Sequence, residues 1–310
     1  MRKQFLNSVY DLATKNNEVL FIGSDLGSGV LDKMKNSLPN QFYMEGVSEQ
    51  YIAGFSSGLA MEGFRPYFNT IGSFLTKRCY EQIYIDICLH NLPVVLAGNG
   101  GGGVYAPLGP THLNLDDFSI LKTIPNLKIF APSDANEMDM IVKASIHFNN
   151  PSYIRIGKGG EKIITQNLKS NHNVHECYKL VHSDDDLIIT TGTMAQIALD
   201  VSETLLREDG IKLGVVNVPC IKPLDEINLI NIIKRSKKIF VLEEHFVQGG
   251  LGSMILDLLS SKSKTDLPKI NLFGINNEFF DKYGNQENLL KHWGLDSESM
   301  IRKIKNVFNR

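Results

Sequence analysis

No two cysteines in this chain are spaced as CxxC. The four thiols, Cys79, Cys88, Cys177 and Cys220, lie far apart in the sequence. That spacing argues against a zinc site and a disulfide framework, and predicts reduced, buried thiols. No apolar run approaches the ~18 residues of a membrane span. The N-terminal segment has Arg2 and Lys3 but no continuous apolar core followed by a small-residue cleavage site, so the protein reads as cytoplasmic. Charge of one sign is not in excess either. With 34 acidic and 32 basic residues there is no broad field to attract a nucleic-acid backbone or an anionic membrane. Low-complexity tracts and internal repeats are also missing.

What is present is an ordinary globular composition, 43% hydrophobic and 21% charged over 310 residues. That length is about twice a typical domain and predicts two domains. Short apolar runs rich in β-branched residues alternate with helical periodicity, the pattern of an α/β fold with parallel sheets covered by helices. Strands are predicted at 19–23, 66–69, 93–97, 127–131 and 153–156. A helix is predicted over 134–148, with its start signal at Pro132-Ser133-Asp134 and an apolar stripe of Met138, Ile141, Val142 and Ile146. The chain turns polar over 157–186, with Gly159-Gly160 and the acidic run Asp184 to Asp186, which predicts a connection between domains. We place the domains at 1–165 and 180–310, with 166–179 as linker. The second unit repeats the alternation, with strands near 187–190, 213–218 and 238–243 and helices near 195–207 and 224–234. A further helix opens at 249–252, and a helical, surface-packed tail covers 286–310.

Glu49 lies in Gly46-Val47-Ser48-Glu49-Gln50, ahead of the apolar helical series Ile52, Phe55 and Leu59. Ser48 suits an N-cap, which places Glu49 in the first turn, where a carboxylate also complements the helix dipole. The glycine run 98–103 follows an apolar strand but leads into Pro107 and a Gly109-Pro110-Thr111-His112 turn rather than into a helix, so it is not a dinucleotide loop.

The run from Gly46 through Arg78-Cys79-Tyr80-Glu81-Gln82 resembles the pyrimidine-binding segment of transketolases, and Gly109 to His112 resembles their glycine-proline-threonine-histidine motif. In the second unit, Thr191-Gly192-Thr193-Met194, the segment Asn217 to Asp225, and Glu243-Glu244-His245 with Gly249-Gly250-Leu251-Gly252 resemble the C-terminal domain of the same family. The resemblance implies two domains, each a largely parallel sheet flanked by helices. It implies that Glu49 hydrogen-bonds N1′ of the aminopyrimidine of thiamine diphosphate and exchanges a proton with it, which activates the cofactor. Phe74 then matches the aromatic residue stacked on the pyrimidine, although a core phenylalanine would have the same character. Ile71 stands where transketolases often carry a second aromatic residue, and Arg78 joins the cofactor-binding set. His112 would face the reacting carbonyl as a proton donor or acceptor. Lys158, and less closely Arg155, match a phosphate-binding position, but a solvated lysine fits Lys158 equally well. Ser28 matches a phosphate contact or a helix cap. Glu244 and His245 read as structural.

Two departures bear on the substrate. Leu108 replaces the aspartate that contacts a sugar hydroxyl in the family and cannot make that bond, and a loop histidine of many bacterial transketolases falls near Asn99 or Gly100. The loss of polar contacts argues for a different acceptor or donor sugar, or for contacts supplied elsewhere. The Gly-Asp-Gly motif and downstream asparagine that hold magnesium beside the diphosphate in the family do not occur in this sequence. The resemblance therefore implies a larger diphosphate-binding partner that carries Mg2+, in a two-plus-two heterotetramer. The leading expectation is the small subunit of a transketolase-type transferase moving a two-carbon ketol unit between sugars. Its rivals are a deoxyxylulose-phosphate-synthase-like or 2-oxoacid-dehydrogenase-β-like subunit acting on pyruvate or another 2-oxoacid, and a non-catalytic scaffold.

Overall fold

The computed structural model describes residues 1–24, 30–169, 171–183, 185–262, 268–280 and 283–309. Ser28 and Asp184 lie outside the described residues. Twelve strands are found among them: β1 (Val19–Gly23), β2 (Phe42–Met44), β3 (Arg65–Ile71), β4 (Val95–Asn99), β5 (Lys128–Phe130), β6 (Ser152–Ile156), β7 (Tyr178–Val181), β8 (Asp186–Thr190), β9 (Gly214–Asn217), β10 (Cys220–Lys222), β11 (Lys238–Phe246) and β12 (Lys269–Ile275). They form two sheets, ordered β10-β5-β6-β4-β3-β1-β2 and β12-β11-β8-β9-β7. Each sheet is parallel except for one edge pair, β10 against β5 and β7 against β9.

The strands of the first sheet are apolar on both faces because both are covered. Ile22, Phe68, Leu96 and Tyr153 point into one core, against the Glu49–Met61 helix and the helical turns over 80–89. Their chain neighbours Phe21, Tyr67, Val95 and Ile154 point into another, against the Arg2–Ala13 and Ala135–Ser145 helices. The first of these cores runs on into the second unit through Leu187, Ile189, Val216 and Val241, so the two sheets share one hydrophobic interior. A third core covers the other face of the second sheet, where Ile188, Val215, Phe240 and Leu242 meet the Met194–Asp209 and Ser297–Phe308 helices.

Several local expectations are met by identifiable chemistry. Asp134 caps the Ala135–Ser145 helix, its carboxylate accepting from Glu137 N at 2.9 Å. All four cysteines are free and buried. The tail is two helices, Gln286–Trp293 and Ser297–Phe308, divided where Gly294 takes a left-handed conformation. Ser48 occupies the N-cap position without capping, since its hydroxyl donates to Glu45 O at 3.3 Å. The short edge strands β2, β7 and β10 carry little pattern of their own and are defined by their partners. β7 begins at Tyr178, and β10, from the second half of the chain, completes the edge of the first sheet. None of the described helices is long and apolar enough to cross a membrane.

Candidate active site

In a parallel sheet the strand ends lie along one edge, and the loops leaving that edge form the crevice where ligands bind. Register shows the alignment here: Gly23 pairs with Met44 and Asn69, Ile71 with Asn99, and Asn99 with Ile156. The segments that follow these residues carry Glu49 after β2, Phe74 and Arg78 after β3, His112 after β4 and Lys158 after β6. Topology thus delivers to one edge residues that are far apart in sequence.

Glu49 is the first residue of its helix and is buried. Its Oε2 accepts from Arg78 Nη1 at 2.6 Å, while the Arg78 side chain is 43% exposed. The Arg78 guanidinium also lies 4.5 Å above the centre of the Phe74 ring. Phe74 also meets the His112 ring edge to face at 4.9 Å, and Tyr105 meets His112 at 6.5 Å. Glu49, Arg78, Phe74, His112 and Tyr105 form one continuous chain of contacts. Thr111 Oγ1 lies 2.9 Å from His112 Nδ1, and burial lowers the imidazole pKa, which favours the neutral ring. Among the described residues, Glu49 Oε1 and the buried Asn99 Oδ1 have no hydrogen-bond partner.

Ile71, the last residue of β3, is half-buried. Leu108 is 53% exposed on the turn Ala106–Leu108. Lys158 is exposed and makes no ion pair among the described residues, whereas Arg155 is buried and makes four hydrogen bonds. Arg155 Nε and Nη2 grip Asp117 at 3.0 Å each, Nη2 donates to Asn114 O at 2.7 Å, and Nη1 donates to Glu244 O at 3.1 Å. Arg155 therefore braces the loop instead of facing the crevice. It holds Asp117 as a bidentate pair, the strongest geometry available to that carboxylate.

The glycine run is explained by this bracing. A Cβ at Gly100 would meet the Tyr105 ring at 2.1 Å, one at Gly101 the Arg155 side chain at 2.4 Å, and one at Gly102 the Glu244 carboxylate at 2.3 Å. Buried Glu244 accepts from Gly103 N at 2.9 Å and from Gln286 Nε2 at 2.9 Å, and burial raises its pKa. The second unit thus reaches over and clamps the loop that leads to His112. Asn114, Asp117 and Gln286 carry no motif of their own because partners such as Tyr153, Arg155 and Glu244 lie far off in the chain, and Tyr105 shows its role only once its ring fills the space at Gly100. The one available signal was a glycine run too dense for a turn. Tyr283 is another such residue, packed so that a Cβ at Gly109 would come within 2.8 Å of its ring.

Comparison with known proteins gives this geometry a family. Residues 1–160 match the transketolase pyrimidine-binding domain, and residues 176–300 match the transketolase C-terminal domain. The chain belongs to the transketolase family. The 1-deoxy-D-xylulose-5-phosphate synthase of Caldanaerobacter subterraneus subsp. tengcongensis is 34% identical over 97% of this chain and 47% of its own length. 1-deoxy-D-xylulose-5-phosphate synthase 2 of Geobacter sulfurreducens is 33% identical over 96% of this chain and 47% of its own length. The chain spans about half the length of these curated relatives. Among solved structures, a split-gene transketolase described as an inactive beta4 tetramer superposes with a TM-score of 0.85 at 26% identity, over 98% of this chain and 96% of its own. Transketolase from Campylobacter jejuni, at 15% identity and a TM-score of 0.77, covers 98% of this chain with 46% of its own and shares the fold. Members of this transketolase and synthase group depend on thiamine diphosphate.

Proposed function

We propose that this transketolase-family chain supplies the aminopyrimidine half of a thiamine diphosphate site, and that the enzyme it completes transfers a two-carbon ketol unit between sugars. The observation that carries the reading is the buried carboxylate of Glu49 at the sheet's carboxyl edge, in contact with Arg78 and linked through it to Phe74 and then to His112. The residues fit the cofactor. Glu49 Oε1 is an acceptor without a partner among the described residues, and Phe74, joined to Glu49 through Arg78, offers an aromatic ring of matching size. Ile71 lies at the edge of the pyrimidine surroundings, and Arg78 stands against the two residues that define them, Glu49 and Phe74. When bound, the cofactor supplies a nucleophilic carbon that can hold a two-carbon fragment between donor and acceptor. Glu49 holds and exchanges a proton at the ring nitrogen, and its burial keeps water from that exchange. His112, whose burial favours the neutral ring, can take or give a proton at the substrate carbonyl. Lys158 and Ser28 are assigned to a substrate phosphate, and Leu108 to the wall that replaces a polar sugar contact.

We assign residues 1–165 to the pyrimidine-side domain, 180–310 to the C-terminal domain and 166–179 to the linker. Mg2+ and the diphosphate belong in this reading to a larger partner subunit, in a two-plus-two heterotetramer. Exposed apolar residues support such a partner: Met44, Val47 and Tyr51 flank Glu49 in the chain, and Tyr84, Ile85 and Leu89 stand on the neighbouring helical turns. A monomer has little reason to expose such a group beside a buried carboxylate. The split-gene transketolase supports it also, as a chain of nearly the same extent described as an inactive tetramer of one subunit type.

A second reading is favoured by a specific observation, the synthase names of the curated relatives at 33 and 34% identity. In it the donor is pyruvate and carbon dioxide is lost before transfer to an aldehyde. The experiment is to copurify the chain with the product of the adjoining gene and supply ketoses or pyruvate with aldehyde acceptors, thiamine diphosphate and magnesium. Turnover with a ketose supports the first reading, and turnover with pyruvate alone replaces it with the second. Glu49→Gln in the same complex is expected to lower turnover by about 10²-fold or more with assembly intact, because the amide bonds but does not exchange the proton. Unchanged turnover in that variant would remove the role given to Glu49.

A further inference from the structure

Arg78 ends the Gly72–Arg78 helix with its side chain 43% exposed, yet its head group is held by two contacts. Nη1 donates to Glu49 Oε2 at 2.6 Å, and the guanidinium carbon sits 4.5 Å from the Phe74 ring centre. A guanidinium is flat, delocalised and rich in N–H donors, so it lies well on an aromatic face and pairs well with a carboxylate. The same carboxylate and the same ring are what the proposed function gives to the aminopyrimidine of the cofactor, which would take the other carboxylate oxygen, Oε1. One flat group covers a ring face at van der Waals distance and leaves no room for a second on that face.

We infer that Arg78 is an internal competitor for the cofactor: its guanidinium stands in for the aminopyrimidine on Phe74 and Glu49, and it swings outward when thiamine diphosphate binds. The inference rests on the proposed cofactor reading. The physical reason for such a device is the cost of an unpaired carboxylate in a buried position, which Arg78 offsets while the cofactor is away. Its exposed half and its place at the end of a helix of only 7 residues leave it a route out without disturbing the core. The consequence is weaker apparent binding of the cofactor, by the fraction of chains in which Arg78 is already displaced.

The test measures affinity, not turnover. Thiamine diphosphate with magnesium is titrated calorimetrically into the copurified complex of the chain and its partner, wild type and Arg78→Ala. Removing the competitor is expected to tighten the dissociation constant by about tenfold, the effect of losing one charge-assisted contact that must otherwise be broken. Arg78→Lys keeps a charge for Glu49 but cannot cover the ring, so it is expected to fall between the two, and it serves if the alanine variant does not fold. Binding weaker than, or equal to, wild type in either folded variant would overturn the inference, because a direct cofactor contact weakens binding when removed and a bystander leaves it unchanged. Absence of any thiamine diphosphate binding by the wild-type complex would overturn the proposed function as well, which separates the two failures.

Discussion

At the scale of single residues, the candidate site depends on side chains that hold other residues in place. Gly102 is the sharpest case. It sits at φ +67°, where an L side chain is strained, and its missing Cβ leaves the space that Glu244 fills. Gly102→Ala must both strain the backbone and push the Glu244 carboxylate off Gly103 N. A loss of about 2–4 kcal/mol in stability is expected from the two effects together, measured by chemical unfolding. Arg155 teaches a related lesson. A cation next to a glycine turn suggests a phosphate site from sequence, but four of its five N–H donors go to Asp117, Asn114 and Glu244. Lys158, three residues on, is the cation left exposed.

At the scale of an element, the end of β11 concentrates three titratable groups in the interior. Glu243 accepts from Leu251 N at 2.7 Å and Gly252 N at 3.0 Å, capping the Leu251–Lys262 helix, yet burial outweighs these bonds and pushes its pKa up to about 7. His245 stacks on Phe118, its ring nearly parallel at 5.0 Å, and burial pushes its pKa down to about 3. The two act on stability in opposite directions. The native state keeps a proton on Glu243 that the unfolded chain releases, so this stabilisation is present below the ordinary value of 4.5 and is lost as pH rises through about 7. The unfolded chain protonates His245 below 6.5 while the native ring stays neutral, so that stabilisation is present above 6.5 and is lost as pH falls through about 3. Glu243→Gln is therefore expected to make the slope of stability against pH more positive by up to about 1.4 kcal/mol per pH unit in the window between 4.5 and 7. Urea melts at stepped pH would show it, and an unchanged slope would mean that Glu243 is charged in the folded chain.

At the scale of the whole molecule, the two sheets are joined by more than a linker. β10 leaves the second half of the chain to pair with β5, one core runs through both units, and Glu137 ties them with a polar knot. Its buried carboxylate accepts from Ser133 N at 2.6 Å within the first unit and from Tyr178 Oη at 2.6 Å and Asn217 Nδ2 at 3.1 Å in the second. Asp134 beside it holds the following segment through Ile164 N and Thr165 N. A single cooperative thermal transition is expected for the intact chain in calorimetry. Glu137→Ala, which leaves those donors unpaired at the joint, is expected to lower the midpoint by roughly 5–10 °C. A midpoint unmoved by that change would place the coupling in the shared apolar core alone.

The periodicity of apolar residues determined much of this protein without help from tertiary structure. The β1 range, the capped helix after Asp134 and the helical tail are legible because burial on both faces, or on one stripe, writes its period directly into the chain. The order of Glu49, Phe74, Arg78 and His112 along the sequence was legible too, since motifs are local. Tertiary structure alone decided that these residues meet, because a parallel sheet brings its strand ends together whatever the sequence distance between them. It also decided that Arg155 braces the fold, that Glu244 clamps a glycine loop 141 residues away, and that β10 belongs to the sheet of the other half. Such pairings depend on surfaces created only when the sheets have packed, and a linear pattern carries no record of them. Glu49 was visible as a carboxylate at a helix start, but its burial against Arg78 is a property of the folded chain.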